Sequence, residues 1–562
     1  MVLPRKPDPR RCSGAFVARR TWSGQKVKTI MSDSLAIERD VAIPMRDGSP
    51  LYANIYRPGD SDRYPVVMTV GPYGKDLHFG DFNPAAYAQI AEHGPHLNWE
   101  TPNPEWWVPH GYVVVRVDQR GIGRSPGRLD LFSQQQGEDF YDAIEWAALQ
   151  PWSTGKVGLL GISYYALSQW QVAALHPPHL AAIIPWEGLH DMYREAFRHG
   201  GILSNVFVGA WYPRQVLSVQ YGVDGSLSEQ ERATNRADLL ADLKAHVLDD
   251  GSYRPRALDA AQITVPLLSV GNWGGLGLHL RGNIEGYLSA ASQHKWLRVH
   301  VGTHYTPFYS EEGRAAQERF FAYWLKGHDN GLLAEPRIQL AIRKGSAFAW
   351  RQEQAWPLAG TRWTRWYLDA PSHSLSEQPL RAAAHLSYQA PEGGVTFTTA
   401  PFATETEVTG PLALRLWVSC STTDMDLFVT IRNLDPHGNE VPSLGASGEP
   451  VPVTKGWLRV SHRKLDQERS TAYRPYHSHD ELQFLTAGEV VLVAIEIWPT
   501  SMVFQAGHRL ALEIEAHDGR GSGMFLHNDP EDRNPAKLTG TNTIYTGADH
   551  ASYLLLPIIP NE

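Results

Sequence analysis

The sequence predicts an α/β domain built on a parallel sheet, interrupted by a helical insertion and followed by an all-β sandwich or jelly roll. Three observations carry this expectation. From about residue 36 to 190, short β-rich runs alternate with helical patterns. From 191 to 255 the alternation gives way to aromatic-rich, helix-like segments. Beyond about residue 335 the long helical patterns disappear, and β-rich runs are divided by Gly, Pro and Asp turns. A chain of 562 residues has room for about three or four folding units of ordinary size.

The elements follow in order. The first thirty residues carry eight Lys or Arg against one Asp and lack an unbroken apolar run, so residues 1–31 are expected to be a disordered basic tail rather than a secretory signal. An organelle transit peptide is the alternative, and Met31 offers a second start. "YPVVMTV" (64–70), "YVVVRVD" (112–118), "KVGLL" (156–160) and "LAAIIPW" (180–186) are apolar almost throughout, as strands buried on both faces should be. "GEDFYDAIEWAALQ" places Phe140, Ile144 and Ala147 on one helical face, and "SYYALSQWQVAAL" runs as a helix until Pro177 and Pro178. Segments such as "MYREAFRHGG" and "EQERATNRADLLADLKAHVL" form the insertion. The strand rhythm returns in "VPLLSV" (265–270) and "WLRVHV" (296–301), followed by the amphipathic "AAQERFFAYWLKG". The expected organisation is therefore an α/β domain over 32–190 and 256–332, an insertion over 191–255 and a β domain over 333–562, where "LALRLWVSC", "DLFVTIRNL", "EVVLVAIEIW" and "RLALEIEAHD" supply strands.

Composition narrows the function. With 51 Lys and Arg against 60 Asp and Glu, the net charge of −9 argues against a nucleic-acid partner, and no window reaches the roughly 18–20 apolar residues of a membrane span. Two cysteines, Cys12 and Cys420, allow neither a disulfide framework nor a cysteine-built zinc site, which suits a reducing, cytoplasmic setting. No HExxH or comparable metal spacing occurs, and "GIGRSPG" lacks the βαβ setting of a dinucleotide loop. No cofactor or metal is expected.

The chemistry is concentrated around "GLLGISYYA", which sets Ser163 between a strand and a helix. A nucleophilic serine suits such a turn, because its Oγ is exposed and a following backbone N–H faces the developing oxyanion. The G-x-S-x-G pattern is only partly kept: Gly161 is present, while Tyr165 stands at the second glycine position. The competing reading is a serine that merely caps the helix. His304, just beyond a late strand in "WLRVHVGTHYTPFY", is where a general base could reach a serine from another loop, whereas His300 reads as structural. Tyr73 in "VGPYGK" could supply an O–H to the oxyanion.

Together, "MRDG" (45–48), "GPYGK", "DQRGIGRSPG", "IEWAALQPWSTGKVGLLGISYYALSQW" and "GSGMFLHNDPEDR" resemble the cocaine esterase-like (CocE/NonD) serine hydrolases, relatives of the X-Pro dipeptidyl-peptidases. The resemblance covers nearly everything after residue 36. It implies an α/β-hydrolase domain, an inserted helical cap and a C-terminal jelly-roll (galactose-binding-like) domain. It also implies Ser163 as nucleophile, His304 as base, and the Tyr73 O–H with the Tyr164 N–H as oxyanion hole.

The acid departs from the family pattern. The family has G-W-x-D before the histidine strand, and here "VGNWGGLGLHLRGN" puts Gly274 in place of the Asp. Losing the orienting carboxylate of a serine-protease triad costs on the order of 10⁴ in rate. A substitute is Glu187 in "IIPWEGLHD", where the strand directly after the nucleophile helix ends, next to the nucleophile strand in a doubly wound sheet. The alternatives are Asp191 as acid, Asn272 as a neutral orienter, or Glu187 paired with Arg194; Asp118 reads as bracing its own loop. Trp186, Tyr193, Phe207, Trp211, Tyr212 and Trp273 could line an acyl pocket or belong to the core.

The expected function is hydrolysis of a carboxylic ester, or less readily an amide, through an acyl-enzyme, with a bulky or aryl acyl group suggested by the aromatic insertion. Two alternatives stay open: an X-Pro dipeptidyl-peptidase or amino-acyl ester hydrolase, with Glu187, Asp191 and Glu195 available to an α-ammonium, and a degenerate hydrolase acting as a binding module. The expected partner is a small-molecule ester or amide, with no nucleic acid and no membrane; whether the protein forms a homo-oligomer is open.

Overall fold

The computed structural model describes residues 16–17, 28–31, 35–251, 253 and 259–560. Its centre is a run of ten paired strands within a larger sheet. In spatial order the strands are Ala36–Pro44, Pro50–Arg57, Val113–Asp118, Tyr64–Gly71, Ser153–Ile162, Leu180–Trp186, Leu267–Asn272, Lys295–His300, Ile338–Lys344 and Ala347–Glu353. The run from Val113–Asp118 to Ile338–Lys344 is parallel, and the flanking pairs are antiparallel. Alternate residues of these apolar strands enter two different cores. Val66, Met68 and Leu159 pack with Phe140, Ile144 and Ile284 on one face, while Val67, Leu160 and Ile184 share the other with Phe320 and Phe321. Helices on both faces explain why the strands carry no polar alternation.

Three outcomes differ in detail from the sequence expectation. The sheet continues past residue 332, because Ile338–Lys344 pairs parallel with Lys295–His300 before the chain enters the β domain. The insertion consists of short pieces, Val206–Trp211, Glu229–Thr234 and Leu239–Ala245, with π-helical turns at Tyr193–Phe197 and Tyr212–Val216. Ser228 and Glu231 close a capping box on the second of these. Most of the tail expected to be disordered lies outside the described residues; Phe16–Val17 pairs with Lys28–Met31, which pairs with Ala36–Pro44.

The C-terminal domain is antiparallel around Thr406–Cys420, which pairs with Val491–Phe504, Gly540–Thr546 and Tyr553–Ile559. Asp426–Leu434 pairs with Thr454–Arg459 and Arg509–Glu515. Leu414, Leu416, Ile431, Ile495 and Leu512 are fully or almost fully buried in its core. Within the described residues no helix is long and apolar enough to cross a membrane.

Candidate active site

Ser163 follows directly on the strand Ser153–Ile162 and heads the helix Tyr164–Ala173. Its backbone is at φ 58°, ψ −114°, a conformation a non-glycine residue adopts only when its surroundings enforce it. They do: Ser163 N–H donates to the Trp186 and Glu187 carbonyls, both at 3.1 Å, and the Ser163 carbonyl accepts from Ala166 and Leu167. Strain held at a strand-to-helix turn is the mark of a nucleophile elbow, and the serine makes no side-chain cap to its helix. Tyr165 fits at the second glycine position because its ring packs against Gly71 and its Cβ against Gly161, leaving no room for a side chain at either. A Cβ at either glycine would come within 2.5 Å of it.

Glu187 ends the neighbouring strand. Wholly buried, it accepts a 2.8 Å hydrogen bond at Oε2 from His304 Nδ1. Asn272 does not reach His304; its Nδ2 donates to Glu187 Oε1 at 3.3 Å and to the Gly302 carbonyl at 2.9 Å, so it braces the Glu187 carboxylate and the loop leading to His304. His300 comes within 3.2 Å of Glu187 Oε1 without hydrogen-bond geometry. Asp191 is elsewhere, ion-paired to Arg194 at 2.7 Å, and Arg194 also bridges to Asp249. This removes both Asp191 as the acid and a Glu187–Arg194 pair. Asp118 accepts from Lys75 N–H at 2.6 Å beside its own loop, as expected.

Gly274 is required by the β domain. A Cβ there would stand 2.3 Å from the Leu444 carbonyl oxygen, and the same loop pins the site from outside: His304 N–H donates to the Ala446 carbonyl at 2.7 Å, and Ala446 N–H to that of Gly274 at 3.2 Å. Backbone fills the space an aspartate would need.

Two residues in the site carry no sequence motif. Ser163 Oγ shares a 3.2 Å hydrogen bond with His279 Nε2, not with His304. His304 Nε2 is 3.0 Å from Glu100 Oε1. The rings of His279 and His304 face one another 9° from parallel, with centroids 4.8 Å apart. Donor atoms of Glu187, His279 and His304 lie within 4.8 Å of one another, the spacing of a metal cluster. Parallel rings direct their in-plane lone pairs alongside each other rather than onto one ion, so the arrangement suits proton transfer better than metal ligation.

Electrostatics follow from these contacts. Burial opposes ionisation of Glu187, but the His304 charge, the nearby His300 ring and the His304 hydrogen bond bring it down to about 2. Burial likewise opposes charge on His304, yet Glu187 and Glu100 together push it up to about 10. His279, desolvated and facing the His304 charge, is lowered to about 3 and stays neutral.

Beside Ser163 is an apolar cavity of about 30 Å³, walled by Tyr73, Phe132, Phe197, Phe207 and Trp211. Trp211 Nε1–H donates to Tyr73 Oη at 3.0 Å, leaving the phenol hydrogen free to donate. Tyr164 begins its helix, so its N–H has no intrahelical acceptor. Of the aromatic residues expected at an acyl pocket, Trp211 and Phe207 line it. Trp186 packs edge-to-face on Phe308 and tilted against His300, Tyr193 donates to the Val247 carbonyl, and Trp273 donates to the Ala341 carbonyl; these three are packing residues elsewhere, and Tyr212 also lies outside the lining.

The comparisons agree with this geometry. Residues 47–306 match the family model of the X-Pro dipeptidyl-peptidase (S15 family), and residues 330–555 that of the X-Pro dipeptidyl-peptidase C-terminal non-catalytic domain. A crystal structure of a CocE/NonD family hydrolase from Staphylococcus aureus is 35% identical and superposes with a TM-score of 0.85 over 97% of this chain and 96% of that one. The chain belongs to the CocE/NonD family of hydrolases. Its relatives include the cocaine esterase of Rhodococcus sp. (strain MB1 Bresler), 24% identical over 94% of this chain and all of that protein. A putative Xaa-Pro dipeptidyl-peptidase of Bacillus cereus is 23% identical over 87% of this chain and 86% of that one. This family of serine hydrolases, with its ester- and peptide-cleaving relatives, fits an α/β-hydrolase domain carrying a C-terminal β domain.

Proposed function

We propose that the protein hydrolyses carboxylic esters of short, uncharged acyl groups through an acyl-enzyme. Ser163 Oγ attacks the acyl carbon and His304, oriented by Glu187, takes the serine proton and passes it to the leaving alcohol. The Tyr73 O–H and Tyr164 N–H receive the oxyanion, and water activated by the same histidine releases the acid. Residues 191–255 act as the helical cap over the serine, and the C-terminal domain is a jelly roll that buttresses the histidine loop. No metal or cofactor takes part, and neither nucleic acid nor membrane is needed; the two-cysteine composition favours the cytoplasm.

The observation that carries this reading is the enforced positive φ of Ser163 beside the Glu187–His304 pair. The cavity supports the substrate class. Its described lining contains no Asp, Glu, Lys or Arg, and about 30 Å³ compares with about 150 Å³ for an engineered cavity that binds benzene. A short acyl chain suits it better than the bulky or aryl group suggested by composition. The X-Pro or amino-acyl reading needs a free carboxylate for an α-ammonium. Glu187 is held by His304, Asp191 by Arg194, and Glu195 by Arg281 and two backbone N–H groups, which argues against it. A fluorophosphonate probe is the test: Ser163 labelling with turnover of p-nitrophenyl acetate supports the proposal, and folded protein that stays unlabelled would return it to the binding-module reading.

A further inference from the structure

His304 stands between two buried carboxylates. Glu187 holds Nδ1 at 2.8 Å and Glu100 holds Nε2 at 3.0 Å. Ionised carboxylates only accept hydrogen bonds, so with both carboxylates charged the ring carries a proton on both nitrogens; burial raises the Glu100 carboxyl, and its hydrogen bond to His304 and the His304 charge oppose that rise. A general base needs the opposite state, with a bare Nε2 turned to the serine hydroxyl. Nε2 is the nitrogen that Glu100 occupies, and Ser163 Oγ rests on His279 instead.

Glu100 is built into the nucleophile turn. Its backbone is at φ 60°, its carbonyl accepts from Ile162 N–H at 3.1 Å, and its side chain is buried. The groups facing the pair are few. Glu187 comes from the strand Leu180–Trp186 side and neutral His279 from the head of the helix Leu280–Ser289. His300 and Asn272 approach Glu187 from the ends of their strands, and the phenols of Tyr73, Tyr165 and Tyr309 lie near Glu100. No Lys or Arg among the described residues is placed to replace His304 as the cation between the two carboxylates.

We propose that Glu100 is a positioning residue that competes with Ser163 for His304 Nε2 and holds the imidazolium at rest. This rests on the assignment of Ser163, His304 and Glu187 above. Activation breaks the Nε2–H bond, with the proton leaving to solvent water. The ring, now neutral, turns its Nε2 lone pair from Glu100 to Ser163, whose Oγ leaves His279. As Oγ bonds to the acyl carbon, its proton passes to Nε2 and the carbonyl π pair moves to oxygen. Loss of the imidazolium proton then sets the acid limb of kcat/KM, and the Glu100 charge holds that limb at higher pH.

The experiment is the pH profile of kcat/KM for p-nitrophenyl acetate in wild type, Glu100→Gln and Glu100→Asp. Glutamine keeps an acceptor for Nε2–H but removes the charge. The acid limb should move to lower pH by about one unit or more, the usual influence of an adjacent charge, giving about tenfold higher kcat/KM on the acid side. Glu100→Asp, which restores the charge, should return the limb toward the wild-type position. A Glu100→Gln limb superimposable on wild type in folded protein overturns the inference. If Glu100→Gln does not fold, imidazole nitrogen NMR of histidine-labelled wild type decides, with the His304 signal assigned by its loss in His304→Gln. Both nitrogens protonated at pH 7 is expected, and a neutral tautomer overturns the proposal. Ser163→Ala separates the two readings: retained turnover defeats the hydrolase assignment, whereas lost turnover with an unmoved Glu100→Gln limb defeats only the role of Glu100.

Discussion

Glu187 and His304, 117 residues apart in the chain, meet through a 2.8 Å hydrogen bond between Oε2 and Nδ1. The strand order makes this meeting possible. Leu180–Trp186 lies between the strand that leads to Ser163 and the strand Leu267–Asn272 that leads to Gly274, so its C-terminal end delivers a carboxylate one strand nearer the serine than the usual aspartate position. Asn272 and the buried setting then fix that carboxylate in place.

Glu187→Gln should lower kcat for p-nitrophenyl acetate by two orders of magnitude or more, roughly 2.7 kcal/mol of barrier, with little change in KM. The amide keeps the shape but not the charge that stabilises the imidazolium. Steady-state kinetics check this, and a change below about threefold, roughly 0.7 kcal/mol, would deny Glu187 the role of acid.

The pair also makes stability depend on pH. His304 is raised in the fold from its ordinary 6.5 to about 10, so its contribution is complete below about pH 6.5 and disappears as pH rises through 10. Glu187 is lowered from 4.5 to about 2, so its contribution is present above 4.5 and is lost as pH falls towards 2. The Tm difference between wild type and His304→Gln should therefore be widest between about pH 5 and 6.5 and narrow steadily towards pH 10. Scanning calorimetry across that range checks it, and a gap that widens with pH would mean His304 is neutral in the fold.

How much of this was legible in the sequence depended on whether a residue's setting was local. The strands could be read because burial on both faces demands largely apolar runs such as "YPVVMTV", and Ser163 because its turn is a contiguous motif. Glu187 could be reached from strand adjacency alone. Glu100 could not: it lies in an irregular loop with no periodicity, and only the folded chain brings it to His304. His279 stands five residues beyond Gly274, in the loop where the acid was sought, but nothing in a lone histidine says that it faces a serine. Aromatic residues in the insertion and beside the late strands announce a pocket without saying which rings form it, so only packing separates Trp211, which lines it, from Trp273, which does not.

Gly274→Asp should not rebuild the usual triad. The new Cβ would meet the Leu444 carbonyl oxygen at 2.3 Å, and backbone cannot yield as the end of a flexible side chain can. Overpacking of this kind costs about 1–3 kcal/mol. The expected result is a lower Tm with kcat unchanged or reduced, read from thermal melts beside ester kinetics. A variant that melts like wild type and turns over faster would show that the position still accepts the acid.

Acyl selectivity should follow the walls of the cavity. Phe207 stacks on Trp211 with centroids 6.1 Å apart and packs tilted against Phe525 at 5.3 Å, and it lines the space beside Ser163. Phe207→Ala removes one wall while leaving the reacting groups in place. One methylene in an apolar pocket is worth about 1–3 kcal/mol of discrimination. Wild type should therefore favour p-nitrophenyl acetate over the hexanoate and benzoate esters, and Phe207→Ala should raise the hexanoate-to-acetate ratio of kcat/KM by about tenfold or more. The ratio is the informative quantity, because a general loss of folded enzyme lowers both esters equally. An unchanged ratio would place the acyl chain outside this cavity and withdraw the assignment of short acyl groups.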